Sequence, residues 1–345
     1  MRRHRFVRNL AAVVACSLCA FALSPASAGA AGAATGPLQA PLIPAPYEVK
    51  GVYLTAWNAG NPGFLQSILD LIDRTELNAV VVDVKDDSGR VTITTDEATA
   101  QAAGAVRPFI PDPRAFTRDL HSRGIYAIAR IVSFKDPIVA PVHPDWAVQQ
   151  AGGGIWRDWN GVAWLNPYNR EAWDYVVRVA RAAAEAGFDE IQFDYVRFPT
   201  DGDLNATRYP GADGRPYEQV VAEFLAYARQ QLAPLGVLVS ADVFGLVTSV
   251  QDDMGIGQRL EESAAAVDYL SPMLYPSHYE PGNLGLPNPN AMPYETVYRS
   301  LIDARDRIKA AGLDGRTGVR PWLQDFSLGH PYGPAEVRAQ IQATY

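Results

Sequence analysis

The chain predicts an α/β fold, a (β/α)8 TIM barrel, on three observations. After Tyr47, apolar strand-like runs alternate with amphipathic helical stretches, a repetition that builds a parallel sheet. Several helical stretches end in glycine, the usual helix stop, as in Ser122-Arg123-Gly124, Glu185-Ala186-Gly187 and Ala310-Ala311-Gly312. Strand after strand also carries polar side chains toward its C-terminal end, where a barrel of this type keeps its active site. The run Glu190-Ile-Gln-Phe-Asp-Tyr-Val-Arg-Phe-Pro199 is the clearest case, with Asp194 and Arg197 placed just before a proline stop. An open doubly wound sheet is the alternative, since it too alternates strand and helix.

Residues 1–28 are expected to lie outside the fold. Arg2, Arg3, Arg5 and Arg8 form a positive region, Leu10 to Leu23 a short apolar core, and Ala26-Ser27-Ala28 a small-residue cleavage pattern. Together these features read as a secretory signal, which places the mature protein outside the cell or in the cell envelope. The apolar stretch is too short to span a bilayer comfortably, and nothing later in the chain could span one. Cys16 sits in a loose lipoprotein-like context. Cutting there would leave most of the apolar segment on the chain, so lipidation is disfavoured. Residues 29–46, rich in Ala, Gly and Pro, read as a linker, and 47–345 as one barrel domain.

The predicted strands are Gly51–Trp57, Ala79–Lys85, Tyr126–Phe134, Glu190–Phe198, Val237–Gly245, Asp268–Tyr275 and Val319–Phe326. Helical patterns fall between them, at about 62–75, 112–123, 169–187, 216–233, 256–266 and 294–311. Seven strands are one short of a closed barrel, and the chain stops inside what looks like the helix after the seventh. The eighth strand is therefore expected to be missing.

Side chains on a strand alternate faces with period two, and the helix-covered outer face of a barrel must be apolar. On the second strand Val80, Val82 and Val84 oppose Asp83 and Lys85, and on the fourth Ile191 and Phe193 oppose Gln192 and Asp194. The fifth sets Val239, Ala241 and Val243 against Ser240 and Asp242, and the sixth Leu270 and Leu274 against Ser271 and Tyr275. The third contributes Arg130, and the seventh Arg320 and Gln324. The polar set is expected to point inward and converge, although one bulge would flip a strand's assignment.

Hydrolysis of a glycosidic bond needs one protonated and one ionised carboxyl group. Asp194 is the first candidate, as nucleophile or general base, and Asp242 on the next strand the candidate acid. The bland alternative pairs Asp194 with Arg197 or Arg130 and makes Asp242 a cap. Asp83, Lys85, Arg130 and Arg197 are candidate substrate-positioning residues, with a rim salt bridge as the alternative for Asp83 and Lys85. Tyr275, His278 and Asp325 lie at or past strand ends as further polar contacts. Trp146, Trp156, Trp159 and Trp164 crowd the segment after the third strand, where flat indoles could stack on sugar rings, with Trp156 and Trp159 the foremost candidates. Trp57 and Trp322, at strand ends, are candidates for the pocket floor.

Other classes find little support. No nucleotide-binding glycine loop or Gly-x-Ser-x-Gly motif is present, and His143 and His278 lack metal-ligand spacing, so no cofactor or metal is expected. Both cysteines, Cys16 and Cys19, lie in the signal, leaving the mature chain without disulfides. Cleavage removes four Arg and no acid, shifting the formal charge from −8 to −12. Such a protein is a poor partner for nucleic acid or anionic lipid and is compatible with neutral or cationic substrates. A polysaccharide or oligosaccharide is the expected partner, and the oligomeric state is not legible.

Gly51-Val-Tyr-Leu-Thr55, Val81-Val-Asp-Val-Lys85, Ile128-Ala-Arg-Ile131, Trp164-Leu-Asn-Pro167, Phe193-Asp-Tyr-Val-Arg-Phe-Pro199 and Ser271-Pro-Met-Leu-Tyr-Pro276 together resemble a bacterial family. It is a glycosyl hydrolase domain family, distantly related to the alpha-amylase-type barrels, and the similarity runs from about Tyr47 to the chain end. The resemblance implies a barrel with glycosidase-like activity. By the same resemblance, Asp194 matches the strand-four aspartate that serves as nucleophile in amylase-type barrels. Asp242 holds the strand-five position where those enzymes carry a glutamate acid, a departure from the pattern. The resulting expectation is an exported glycoside hydrolase acting on an extracellular or cell-envelope polysaccharide. A non-catalytic carbohydrate-binding barrel is the alternative, because fold does not imply function.

Overall fold

Seven strands run parallel: Lys50–Leu54, Ala79–Lys85, Tyr126–Val132, Glu190–Asp194, Leu238–Phe244, Tyr269–Leu274 and a last one in two pieces, Gly318–Val319 and Trp322–Leu323. Each pairs with its successor in chain order. Pro321, which has no N–H to give a ladder, lies between the two pieces of the seventh. The computed structural model describes residues 18–20, 42, 44, 45 and 48–345. The proposed signal cleavage site and most of the linker lie outside the described residues. Where an eighth parallel strand would stand, Leu18–Ala20 instead runs antiparallel between the first and seventh strands, with Leu18 opposite both Val52 and Leu323.

The helices on the outside follow their capping residues. Asn61 accepts from Gly63 N and Phe64 N to start Pro62–Ile72, Asp112 accepts from Ala115 N to start Pro113–Ser122, and Asn169 accepts from Ala172 N to start Arg170–Glu185. Tyr217–Leu232, Leu260–Ala266, Pro293–Ala310 and Pro334–Thr344 complete the set. Gly187, at φ 100°, takes the left-handed turn that ends Arg170–Glu185 and aims the chain into the fourth strand.

The first, third, fourth and seventh strands end two residues or more before the sequence expectation, and two of these ends have a local cause. The first strand stops at Leu54 because the Thr55 side chain accepts from Asn58 N and caps a short helix, Ala56–Ala59. The fourth stops at Asp194 because Tyr195 adopts φ 47°, a left-handed conformation uncommon for a residue with a side chain. An excursion after the second strand, Val91–Ile93, Ala98–Ala102 and Val106–Ile110, is not foreshadowed in the sequence pattern.

Strand alternation separates two apolar regions. Val80, Val82, Val84, Ile191, Phe193, Val239, Ala241 and Val243 join the helices in the main core. Ala79, Val81, Tyr126, Ile128 and Trp322 form a smaller cluster on the opposite faces, inside the sheet. Below the site, Glu190 is fully buried and receives Arg320 Nη1 at 3.1 Å, Tyr126 Oη at 3.1 Å and Ser240 Oγ at 2.5 Å. A buried carboxylate is tolerated because its charge and lone pairs are matched.

Candidate active site

The polar inner face ends in a cluster centred on Arg130. Its Nε and Nη2 donate to Asp194 Oδ2, the Nε contact at 2.9 Å, and Nη1 donates to Asp83 Oδ1 at 2.6 Å. Asp242 Oδ2 lies 3.9 Å from the same Nε. The two carboxylate Oδ2 atoms are therefore no more than 6.8 Å apart, the sum of 2.9 and 3.9 Å. Four strands converge on this point as alternation requires: Asp83 from the second, Arg130 from the third, Asp194 from the fourth and Asp242 from the fifth.

Two neighbours that sequence reasoning left without these roles complete the cluster. Tyr53 Oη, from the first strand, donates to Asp83 Oδ2 at 2.5 Å. Its parity on the first strand was the signal that could have placed it there. Trp322, assigned to the pocket floor, donates its Nε1–H to Asp242 Oδ1 at 2.6 Å and packs edge-on against Tyr53 at 6.1 Å. Asp194 Oδ1 accepts from the N–H of Tyr195 at 2.6 Å, a contact made by the left-handed turn.

The environments of these groups differ. Burial, then the Asp194 charge beside it, push the Asp242 carboxyl well above the ordinary aspartate value, with Arg130 and Trp322 opposing. Burial raises Asp83 also, opposed by Arg130 and Tyr53. Burial works against the charge on Arg130, but Asp194 and Asp83 hold it well above its usual value. The site thus holds a fixed guanidinium and a carboxyl group at Asp242 that favours its proton.

The structure places the other candidates as follows. Lys85 does not join Asp83. A bulge between them turns Lys85 outward, where it is fully buried, donates to Val132 O at 2.8 Å and pairs with Asp136 at 3.0 Å. Asp136 in turn accepts from Ile138 N and Val139 N, so this ion pair pins the loop after the third strand. Arg197 is buried beside the rings of Trp164, Tyr195 and Phe244 and makes no ion pair with Asp194. Tyr275 and His278 pack edge-on against each other and against Phe326, and burial lowers the His278 pKa. Gln324 is buried at the end of the seventh strand, accepting from Ser277 N and donating to Phe326 O.

The tryptophans divide. Trp156 is buried, donates to Asp203 O at 2.9 Å and touches the space beside Gly202, so it packs the loop. Trp146 stacks on His143 at 3.9 Å and donates to Glu171, while Trp164 is buried with its Nε1 3.3 Å from Asp158 Oδ2. Trp57 is not in a pocket floor: it is 68 % exposed, on the short helix after the first strand, against Phe109. Trp159, 73 % exposed, stands free in the hairpin that carries Arg157 and Ala163.

Parallel strands in sequential order, with a carboxylate cluster at their C-terminal ends, define the enzyme type of α/β barrel. Residues 51–345 match the family described as "Putative glycosyl hydrolase domain", and the chain belongs to that family. Among solved structures it resembles a hypothetical protein from Ruminiclostridium thermocellum, at 39% identity over 59% of this chain and 97% of that one, with a TM-score of 0.52. The PgaB (BpsB) glycoside hydrolase domain from Bordetella bronchiseptica matches at 17% identity over 77% of this chain and 82% of that one, with a TM-score of 0.54. The alpha-galactosidase TtGalA from Thermus thermophilus matches at 15% identity over 84% and 54%, with a TM-score of 0.50. The last two carry the fold comparison alone. No curated protein matches the sequence.

Proposed function

We propose that this chain is an exported hydrolase of an extracellular or cell-envelope polysaccharide, with Asp242 as general acid and Asp194 as nucleophile or general base. One observation carries the proposal: the two carboxyl groups flank one guanidinium, and burial with the Asp194 charge shifts Asp242 toward its protonated form. In that arrangement Asp242 gives its proton to the leaving glycosidic oxygen while Asp194, on the neighbouring fourth strand, faces the anomeric carbon. The Oδ2 separation of at most 6.8 Å includes the about 5–5.5 Å of retaining enzymes and only the short end of the about 6.5–9.5 Å of inverting ones. Arg130 and Asp83 position Asp194, since both are bonded through the same guanidinium.

A second reading, a carbohydrate-binding barrel without catalysis, draws on the bonds already made by Asp194. Both its oxygens are engaged, Oδ2 by Arg130 and Oδ1 by Tyr195 N, which lowers the nucleophilicity of a carboxylate. Release of new reducing ends from a panel of bacterial polysaccharides separates the two. The hydrolase reading expects release that falls at least about 10³-fold, ~4 kcal/mol, in Asp194→Asn and Asp242→Asn while both variants keep their circular dichroism. Saccharide binding without release by the unmodified protein favours the second. Release that survives in Asp194→Asn removes that residue from the chemistry.

A further inference from the structure

Arg197 has no role in the proposed chemistry, yet its surroundings are unusual for a buried cation. The residue is 7 % exposed, and no carboxylate among the described residues lies within ion-pairing distance of it. Its one polar anchor is Nη1, which donates to Phe198 O at 3.1 Å and to Thr200 Oγ1 at 3.3 Å. Among the described residues Nε and Nη2 hold no hydrogen bond, and neither is sealed from solvent. That leaves one straight edge of the guanidinium fork open.

The remaining walls are aromatic. The guanidinium carbon lies 5.0 Å from the Trp164 ring, 5.1 Å from Tyr195 and 4.9 Å from Phe244. Tyr195 directly follows Asp194, and Phe244 ends the strand that carries Asp242, so the group lies beside the C-terminal ends of the two proposed catalytic strands. Lys135 Nζ lies 4.8 Å from the same Tyr195 ring and 3.3 Å from Asp87. Asp158, Asp201 and Asp194 act on Arg197 from farther away, too far to pair. Asp158 spends its oxygens on Asn160 N, Val162 N and Trp164 Nε1.

Taking a guanidinium out of water without a counter-ion is costly, and a bound anion would offset the cost. A free Nε/Nη2 edge matches the two oxygens of a planar carboxylate, and the half-buried Tyr195 and Phe244 rings beside it suit a sugar, with Trp164 buried behind the guanidinium. We propose that Arg197, with the rings of Trp164, Tyr195 and Phe244, forms a subsite for a carboxylate-bearing sugar residue of the polysaccharide. The proposal rests on the saccharide-cleft reading above and adds the charge of the substrate. It runs against the negative overall charge of the chain and against Asp158, Asp194 and Asp201 nearby, and it rests on the one guanidinium edge that none of them reaches.

The test is equilibrium titration of the full chain with D-glucuronate and, separately, with D-glucose, followed by tryptophan fluorescence, since Trp164 borders the guanidinium. Glucuronate is expected to bind at least about tenfold more tightly than glucose, ~1.4 kcal/mol, and Arg197→Gln to abolish the difference. Equal affinities, no response to glucuronate, or a preference that survives in Arg197→Gln overturns the proposal. If that variant does not fold, Arg197→Lys serves: it keeps the charge and loses the fork, so weaker glucuronate binding with unchanged glucose binding is expected. Unchanged glucuronate binding in Arg197→Lys overturns it. Because no turnover is read, an absence of hydrolysis sinks the hydrolase reading alone, and equal affinities for glucuronate and glucose in the unmodified protein sink this subsite alone.

Discussion

Replacing Trp322 by phenylalanine tests Asp242 as the acid without touching either carboxylate. The indole Nε1 donates to Asp242 Oδ1 at 2.6 Å, with Trp322 3 % and Asp242 1 % exposed, so no water stands ready to replace it. Phenylalanine retains an aromatic ring facing Tyr53 but has no donor. A hydrogen bond to an ionised group is worth about 1.5–3 kcal/mol and one to a neutral group about 0.5–1.5 kcal/mol. The indole therefore favours the ionised form by ~1.4 kcal/mol, and its loss raises the Asp242 pKa by about one further unit. A general acid works only while protonated, so activity falls as pH rises through its pKa. The alkaline limb of kcat/KM, measured by reducing-end release across pH, is thus expected to move about one unit to higher pH in Trp322→Phe. A limb that stays in place, or moves to lower pH, refutes Asp242 as the acid.

Three further outcomes follow from the same physical terms. Burial raises the Asp325 carboxyl from 3.8 to about 6, and its buried Oδ1 has no partner. The native state then holds that proton more tightly than the unfolded chain, so stability is greatest below the unfolded value and declines as pH rises toward about 6. Asp325→Asn should remove that slope and gain ~1 kcal/mol at neutral pH in urea melts, a figure discounted because the carboxyl is partly solvated; an unchanged slope refutes the assignment. Glu190→Gln removes the buried charge to which Arg320, Tyr126 and Ser240 all donate and is expected to cost about 3–5 kcal/mol by denaturant midpoint, with the far-ultraviolet spectrum retained below the transition. A loss under about 1 kcal/mol would show that water or Tyr126 and Ser240 suffice. Intact mass of the protein recovered from the medium should match a chain cut after Ala28; a mass that includes residues 1–28 refutes export by a cleaved signal.

Much of the fold was legible because its causes are local. Period-two alternation on the second, fourth and fifth strands placed Val80, Ile191 and Val239 toward the helices and Asp83, Asp194 and Asp242 inward, and the structure has them on those sides. Asn61, Asp112 and Asn169 cap the helices they precede, a matter of a few neighbouring atoms. What the chain alone could not supply was any distance between strands. The bulge that sends Lys85 to Asp136 while Asp83 stays on Arg130 is a register shift against the third strand, set by packing and invisible in a run of seven residues. The grip of Trp322 on Asp242 joins residues eighty positions apart, and the freedom of Arg197 depends on which carboxylates end up out of reach. Residue type and alternation chose the face of each side chain; only the closing together of the strands decided which charges met, because Coulomb and hydrogen-bond terms act over ångströms that sequence separation does not measure.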